Sequence, residues 1–401
     1  MTDVSIPAAP VLEARPDFRP LFAANLVCSM SIMGFTSVIG PLSRALGLEP
    51  WHAGLAVTMA GFVWMLTSRA WGRLSDRVGR RPVLLASVTG FALTYLALCA
   101  FTTLALADHW LPVWSVVFLV ALRSLIGAFY AALPAVGNAM IADAVAPEKR
   151  AGTMAGLGAA GGIGLVAGPA LAAALVGFGL VFPLYVLAAL PVAGILLVAV
   201  ALPRAATRPS GGGAGLRLSD PRIRPSLLVA FVAMFCVGVS QITIGFFVQD
   251  RFSLSAQQAA TSAGIAMTVV GVSLIVAQTL VSRLGWPPRR LIMVGSLVGT
   301  VGYCIAALSP SELVLWLSFA PAGAGMGLVF PAFSALAANS VGKGEQGSVA
   351  GSVGAAQGFG MVVGPLAGAA LYGLHDALPY YVCAAVLLAV AVTIQTRRGM
   401  G

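Results

Sequence analysis

Twelve apolar runs, six on either side of one polar arginine-rich stretch, constrain this chain more than any other feature. They begin near Leu21, Ala53, Pro82, Pro112, Met154 and Leu180, and again near Ser226, Ser262, Leu291, Leu313, Ser348 and Leu378. Each is long enough to cross a bilayer as a helix, which takes about 20 residues. Only 9% of the residues are charged against 59% apolar. Soluble proteins carry about 25% charged residues, so this chain lacks the polar surface to coat a core of its size in water. The expected fold is all-α and integral to a membrane: twelve transmembrane helices in two pseudo-symmetric six-helix bundles, 20–202 and 226–396. The segment 203–225, with Ser210, glycines at 211–213 and 215 and five arginines, predicts a basic linker. Residues 1–19, rich in proline and lacking the apolar core of a signal peptide, read as a polar tail, as do 397–401.

The basic residues orient the spans. Of the 23 arginines and lysines, all but Arg44, Arg251 and Arg123 fall on one face if both termini share it. The positive-inside rule makes that face cytoplasmic. The same bias accounts for the formal net charge of +10 without invoking nucleic acid. The preponderance of arginine over lysine suggests a GC-rich bacterial source and hence the inner membrane. The five cysteines (Cys28, Cys99, Cys236, Cys304, Cys383) stand singly in apolar runs and read as small core residues, with no metal or cofactor implied.

The two halves repeat one another, as many secondary transporters do. Gly164-Leu-Val-Ala-Gly168-Pro169 answers Gly360-Met-Val-Val-Gly364-Pro365, and the same offset relates the Gly-Ala-Ala triplets at Gly158 and Gly354. Arg80-Arg81 is likewise answered by Arg289-Arg290, each pair opening an apolar helix.

Between the second and third spans the chain reads Gly72-Arg-Leu-Ser-Asp76-Arg77-Val-Gly79-Arg80-Arg81. This is similar, position for position, to the G-x-L-x-D-R-x-G-R-R/K loop of the major facilitator superfamily, and the resemblance extends over essentially the whole chain. Physically, Gly72 lets the second helix approach a neighbour, Gly79 permits a tight turn, and Asp76 is a carboxylate at the membrane edge able to accept hydrogen bonds from arginines across the bundle interface. The resemblance implies that this loop latches the cytoplasmic side of the outward-facing state. Asp143 to Arg150 resembles the D-x-x-P-x-x-R-G loop, which implies that Asp143 and Arg150 form a second half-latch. The copy around Arg283 to Arg290 lacks the acid, so the latch is expected to be asymmetric.

Arg123 is the single charge deep within a span. It lies about 17 Å into the fourth helix at 1.5 Å per residue, where a charge costs at least about 2.5–3.5 kcal/mol and should face a cavity or a partner. Arg123-Ser-Leu-Ile-Gly127 resembles the R-x-x-Q-G motif, with Ile126 in place of glutamine. The resemblance implies a part in proton coupling, with Asp143 among the acids available to it; a structural arginine bonded to backbone carbonyls is the alternative. Gly164, Gly168 and Pro169, and in the second half Gly360, Gly364 and Pro365, resemble the antiporter motif of drug/proton antiporters, although its usual closing Gly-Gly is Ala172-Ala173. Small residues four apart allow close helix approach, and proline bends the helix.

Asn25, Phe35, Tyr130, Asn138, Gln241, Phe246 and Gln357 sit at membrane depth and are the candidate wall of a mostly apolar substrate cavity. None of the 13 acids falls mid-span, which weakens the case for a broad cation pump and favours neutral, zwitterionic or anionic cargo. No nucleophile–base pair is placed for chemistry, so an enzyme is not expected. The resemblance implies a proton-driven efflux transporter of the twelve-helix drug/proton antiporter type, acting by alternating access as a monomer, with a small molecule, protons and membrane lipid as partners. The alternatives are a dedicated exporter of one metabolite or siderophore, or a solute importer.

Overall fold

Proline and short polar side chains set the helix starts. α2 (Pro50–Val78), α4 (Pro112–Tyr130) and α10 (Pro288–Ala307) each open on a proline, where the missing N–H is not needed and the fixed φ is already helical. Ser255 caps α9 (Ala256–Leu284), its hydroxyl accepting from the Gln258 N–H while the Gln258 side chain returns the bond to the Ser255 N–H. Ser311 caps α11 (Glu312–Asn339) by accepting from the Val314 N–H. The remaining helices are α1 (Arg19–Ala45), α3 (Arg80–Ala107), α5 (Ala132–Ala144), α6 (Pro147–Leu175), α7 (Phe182–Ala201), α8 (Arg224–Arg251), α12 (Gln346–Leu374) and α13 (Leu378–Thr396). The computed structural model describes residues 17–108, 110–145, 147–201, 220–342 and 346–396, and among these there is no β-strand.

Among the described residues the helices make twelve spans. Eleven are long and apolar enough to cross a membrane, with α4 and α5 counted as one, and α2 is the twelfth. α2 is less apolar because its last turns carry Arg69, Arg73, Asp76 and Arg77. The division between α4 and α5 was not expected from the sequence. It falls at Ala131, where Pro134 has no N–H to offer the Tyr130 carbonyl four residues earlier.

The expected linker 203–225 falls outside the described residues up to 219, as do the tails 1–16 and 397–401. α8 begins at Arg224, two residues before the expected bundle start. Just ahead of it, hydrogen bonds from the Arg222 side chain and N–H hold the Asp220 carboxyl below the usual carboxylate range.

Within the first bundle α1 lies against α6 and α7, and α2 and α3 against α4; within the second α8 lies against α12, and α10 against α11 and α13. The bundles meet through α2 against α12, α6 against α9 and α1 against α8. Cys28, Cys99, Cys236 and Cys383 are buried and unpaired, and Cys304 is half-buried. Among the described residues no cluster of ligating side chains that could hold a metal is present.

Candidate functional site

The duplicated Gly-x-x-x-Gly-Pro segments are where the two bundles are built and joined. A methyl group on Gly164 would lie 2.5 Å from Ser29 Cβ and 2.9 Å from Met30 N, and one on Gly168 would meet the Met30 carbonyl, so α6 lies backbone-to-backbone on α1. Gly360 and Gly364 repeat this on α8, against the Phe231 and Phe235 carbonyls. The prolines then face the other bundle. The Pro169 carbonyl is 2.8 Å from where a Gly264 methyl would sit on α9, and the Pro365 carbonyl is 2.8 Å from the corresponding point on Gly54 of α2. Close packing of this kind stands in for the hydrophobic effect, which lipid does not supply.

These contacts, and those nearby, close one end of the molecule. Gly40 abuts Gly245 and Phe246, Thr58 donates to the Val362 carbonyl at 2.8 Å, and Arg44 pairs with Asp250 at 2.5 Å. Asp250 also accepts from the Tyr372 hydroxyl at 2.7 Å, and Arg44 lies 5.6 Å from the Phe246 ring centroid. Arg44–Asp250 is the one ion pair between the bundles among the described residues, and it lies at the face opposite the basic loops. Toward the basic face the bundles part. Methyl groups placed on Gly158, Gly162, Gly351 or Gly354 would meet nothing within 4 Å, and the last approach is Trp64 to Gly358 at 3.9 Å.

The gap between the bundles is a cavity of about 660 Å³ with an adjoining lobe of about 190 Å³, the two sharing Met33, Gln241 and Met361. The larger part is lined mainly by apolar side chains, among them Met234, Met267, Met326, Phe319 and Phe330, with Ser240, Gln241, Gln278 and Tyr303 as its polar groups. Arg123, Trp64, Thr36 and Tyr130 line the lobe.

Of the seven cavity residues expected from sequence, Gln241 and Tyr130 line it. The others do not. Asn25 is buried between α1 and α6, donating to the Leu157 carbonyl at 2.9 Å. Phe35 is fully buried beneath the Arg123 guanidinium, 4.7 Å from its ring centroid. Asn138 is exposed on α5 and Gln357 is half-buried on α12, outside both lobes. Phe246 belongs to the closed end. The methionine lining was not legible beforehand, because an apolar residue on a spanning helix reads the same whether it faces lipid, a neighbour or a cavity.

Arg123 is only 3% exposed, and its Nε and Nη1 are buried with no hydrogen-bond partner. The backbone-bonded alternative therefore does not describe these two atoms. Ile126 lies beside it in the lobe, and Gly127 is needed because a methyl there would strike the Ala60 carbonyl of α2. Asp143 is not near. It lies 20 residues further on, about 30 Å at helical rise, so the two residues expected to share proton coupling are not brought together.

Asp143 is instead the partner of Arg80. Their side chains are 4% and 3% exposed, and Arg80 Nε donates to Asp143 Oδ2 at 2.9 Å. Arg80 Nη1 contacts Asp76 Oδ1 at 2.6 Å and donates to Ser75 Oγ at 2.6 Å. Asp143–Arg80 is thus a pair the sequence did not suggest, while the expected Asp143–Arg150 half-latch falls on the Arg150 side chain, which lies outside the described residues. Asp76, half-exposed, is bound four residues along its own chain rather than across the bundle interface. Gly72, expected to seat a neighbouring helix, has open space around it with the bundles parted at this face, and Arg77 is exposed. Gly79 has φ +106, which a side chain would strain, so this turn requires glycine. Arg81 Nη2 donates to the Ala199 carbonyl at the end of α7. In the second half Arg290 lies over the Trp286 ring at 4.2 Å, with no acid in the position of Asp76.

With this geometry in view, the chain matches the model of the Major Facilitator Superfamily over residues 21–365 and again over 286–398. The chain belongs to this superfamily. Its relatives include the class G tetracycline resistance protein of Vibrio anguillarum, 28% identical over 80% of each chain. Another is solute carrier family 22 member 18 of Rattus norvegicus, 30% identical over 72% of this chain and 71% of that one. Among solved structures it resembles the nucleoside transporter NupG, with a TM-score of 0.74 at 15% identity over 94% of this chain and 98% of that one. It also resembles the human organic anion transporter MFSD10, at 0.64 and 20% over 94% and 98%. As a facilitator-superfamily member the chain is a secondary transporter of small molecules, and its tetracycline-resistance relatives support efflux.

Proposed function

We propose that the protein exports drugs or related small molecules across the bacterial inner membrane by proton antiport and alternating access. The observation that carries this reading is the one-sided cavity: the duplicated Gly-x-x-x-Gly-Pro helices and the Arg44–Asp250 pair seal one end while the basic end stands open. The positive-inside rule makes the basic end cytoplasmic, so this is the cargo-loading, inward-facing state of an exporter. Both termini then lie in the cytoplasm.

A mostly apolar cavity of this volume suits a drug-sized molecule, and tetracycline resistance in relatives of 24–29% identity supports such cargo. Arg123 contributes the fixed positive charge near the membrane centre. The Asp76–Arg80–Asp143 cluster ties the ends of α2, α3 and α5 together so that they move as one body when the open end closes. The test is accumulation of a mixed drug panel, with tetracycline included, in a pump-deleted bacterium with and without an uncoupler. Uncoupler-sensitive loss of several compounds supports multidrug antiport. Unchanged accumulation of every compound, with the protein verified in the membrane, overturns it.

A further inference from the structure

The lobe beside the main cavity holds more hydrogen-bond donors than it can satisfy. Arg123 Nε and Nη1 and Trp64 Nε1 are all buried without a partner, and all three belong to residues lining the same 190 Å³ space. The other hydroxyls there are already engaged: Thr36 donates to the Ile32 carbonyl, and Tyr130 is bonded with Ser29 at 2.8 Å. Phe35 receives the face of the guanidinium at 4.7 Å, an interaction that holds the cation in place but accepts none of its N–H bonds. Among the described residues no carboxylate forms an ion pair with Arg123. An always-charged group that is almost completely buried, with two of its three donor nitrogens idle, calls for an acceptor that arrives from outside.

From this we infer that the cargo is an organic monoanion with an apolar body, its anionic group seated on Arg123 and the Trp64 N–H and its body lying in the methionine-lined cavity. The inference rests on the export reading above and names its substrate class. The shared lining of the two spaces at Met33, Gln241 and Met361 makes them one continuous site, so head and body can be held together. Methionine is unbranched and polarisable and adapts to varied apolar shapes, whereas the guanidinium demands one feature, a carboxylate-like acceptor. The site is therefore permissive about the body and selective about the charge. The orphan Gln241 Oε1 at the junction adds one acceptor for a neutral N–H or O–H on the body.

The test uses three fluorophores that share one body and differ in charge: dansylglycine (anion), dansylamide (neutral) and dansylcadaverine (cation). Binding to the purified full chain in nanodiscs is read from dansyl emission. Dansylglycine is expected to bind about tenfold or more tightly than the other two, the worth of a hydrogen bond to a charged group. R123Q should erase that preference while dansylamide binding persists, which shows the cavity intact, and R123K should retain part of it. W64F, which keeps an aromatic ring and removes the N–H, should weaken dansylglycine severalfold and leave dansylamide binding in place.

Equal or tighter binding of dansylamide or dansylcadaverine to the wild type overturns the inference, as does a preference that survives R123Q or no measurable dansylglycine binding. If R123Q loses all binding, W64F decides: unchanged dansylglycine affinity there overturns the proposal. Transport separates this from the reading it rests on. Selective anion binding with no movement of any probe across inverted vesicles would end the export reading alone, and energised movement of the cation or neutral probe without the anion would end the anion assignment alone.

Discussion

Two glycines two residues apart on α6 should respond to the same substitution with opposite signs. Gly162→Ala places a methyl group where nothing lies within 4 Å, whereas Gly164→Ala places it 2.5 Å from Ser29 Cβ, 2.9 Å from Met30 N and 3.0 Å from the Leu26 carbonyl. Non-bonded carbons rest at about 3.5–4.0 Å, so α1 and α6 must separate by about 1 Å, and two of the three atoms in the way are backbone. Such overpacking costs about 1–3 kcal/mol. Gly→Ala in a helix returns about 0.5–1 kcal/mol from the loss of backbone freedom alone. Gly162→Ala should therefore stabilise by about 0.5–1 kcal/mol. Gly164→Ala should come out destabilised by up to about 2 kcal/mol, the difference of those two effects, with the 2.8 Å Ser29–Tyr130 bond disturbed as well. Apparent melting of the purified protein in detergent, followed by intrinsic fluorescence, ranks the variants. Gly164→Ala melting at or above Gly162→Ala would refute the claim that this motif is a backbone contact in the present state.

The carboxylates of the basic-face cluster should separate by burial. Asp143→Asn leaves Arg80 buried with half its charge compensation gone and should destabilise by about 3–5 kcal/mol, visible as poor yield and early melting. Asp76→Asn, at a half-exposed site, should cost no more than about 1 kcal/mol yet abolish transport of whichever compound the wild type exports; normal transport would remove Asp76 from the gating cycle. At the closed end, Asp250→Asn weakens a pair whose side chains are 33% and 38% exposed, worth about 0.2–1 kcal/mol. Spin labels on the adjoining ends of α1 and α8 should report a population with these ends parted that grows by up to about fivefold, and an unchanged distance distribution would show that the glycine contacts alone hold the seal. Gly79→Ala, at φ +106 and ψ 153, should destabilise by about 1–3 kcal/mol, the cost of a side chain in a backbone region open essentially to glycine alone, measured by the same melting assay.

Local features and tertiary ones part along a physical line. Span number, the pairing of halves and the superfamily loop are written in local features: apolar length set by the bilayer, repeated glycine–proline spacing, and a run of charges at one loop. Each survives into the structure, with eleven strongly apolar spans and the more polar α2. Arg123 was legible for the same reason, since a lone charge inside an apolar run has few places to go. Partner choice was not legible. That Asp143 bonds Arg80, that Asp76 folds back on its own loop, and that Phe246 seals an end while Met33 and Met361 line the site all depend on helix rotation and crossing. Hydropathy does not encode these, because in lipid an apolar side chain is equally content against a tail, a neighbour or a void. The sequence thus determined how many spans there are, about where each lies and which family they form. Tertiary packing alone decided which end is shut, which buried donors are left without acceptors, and hence where a ligand has something to bind.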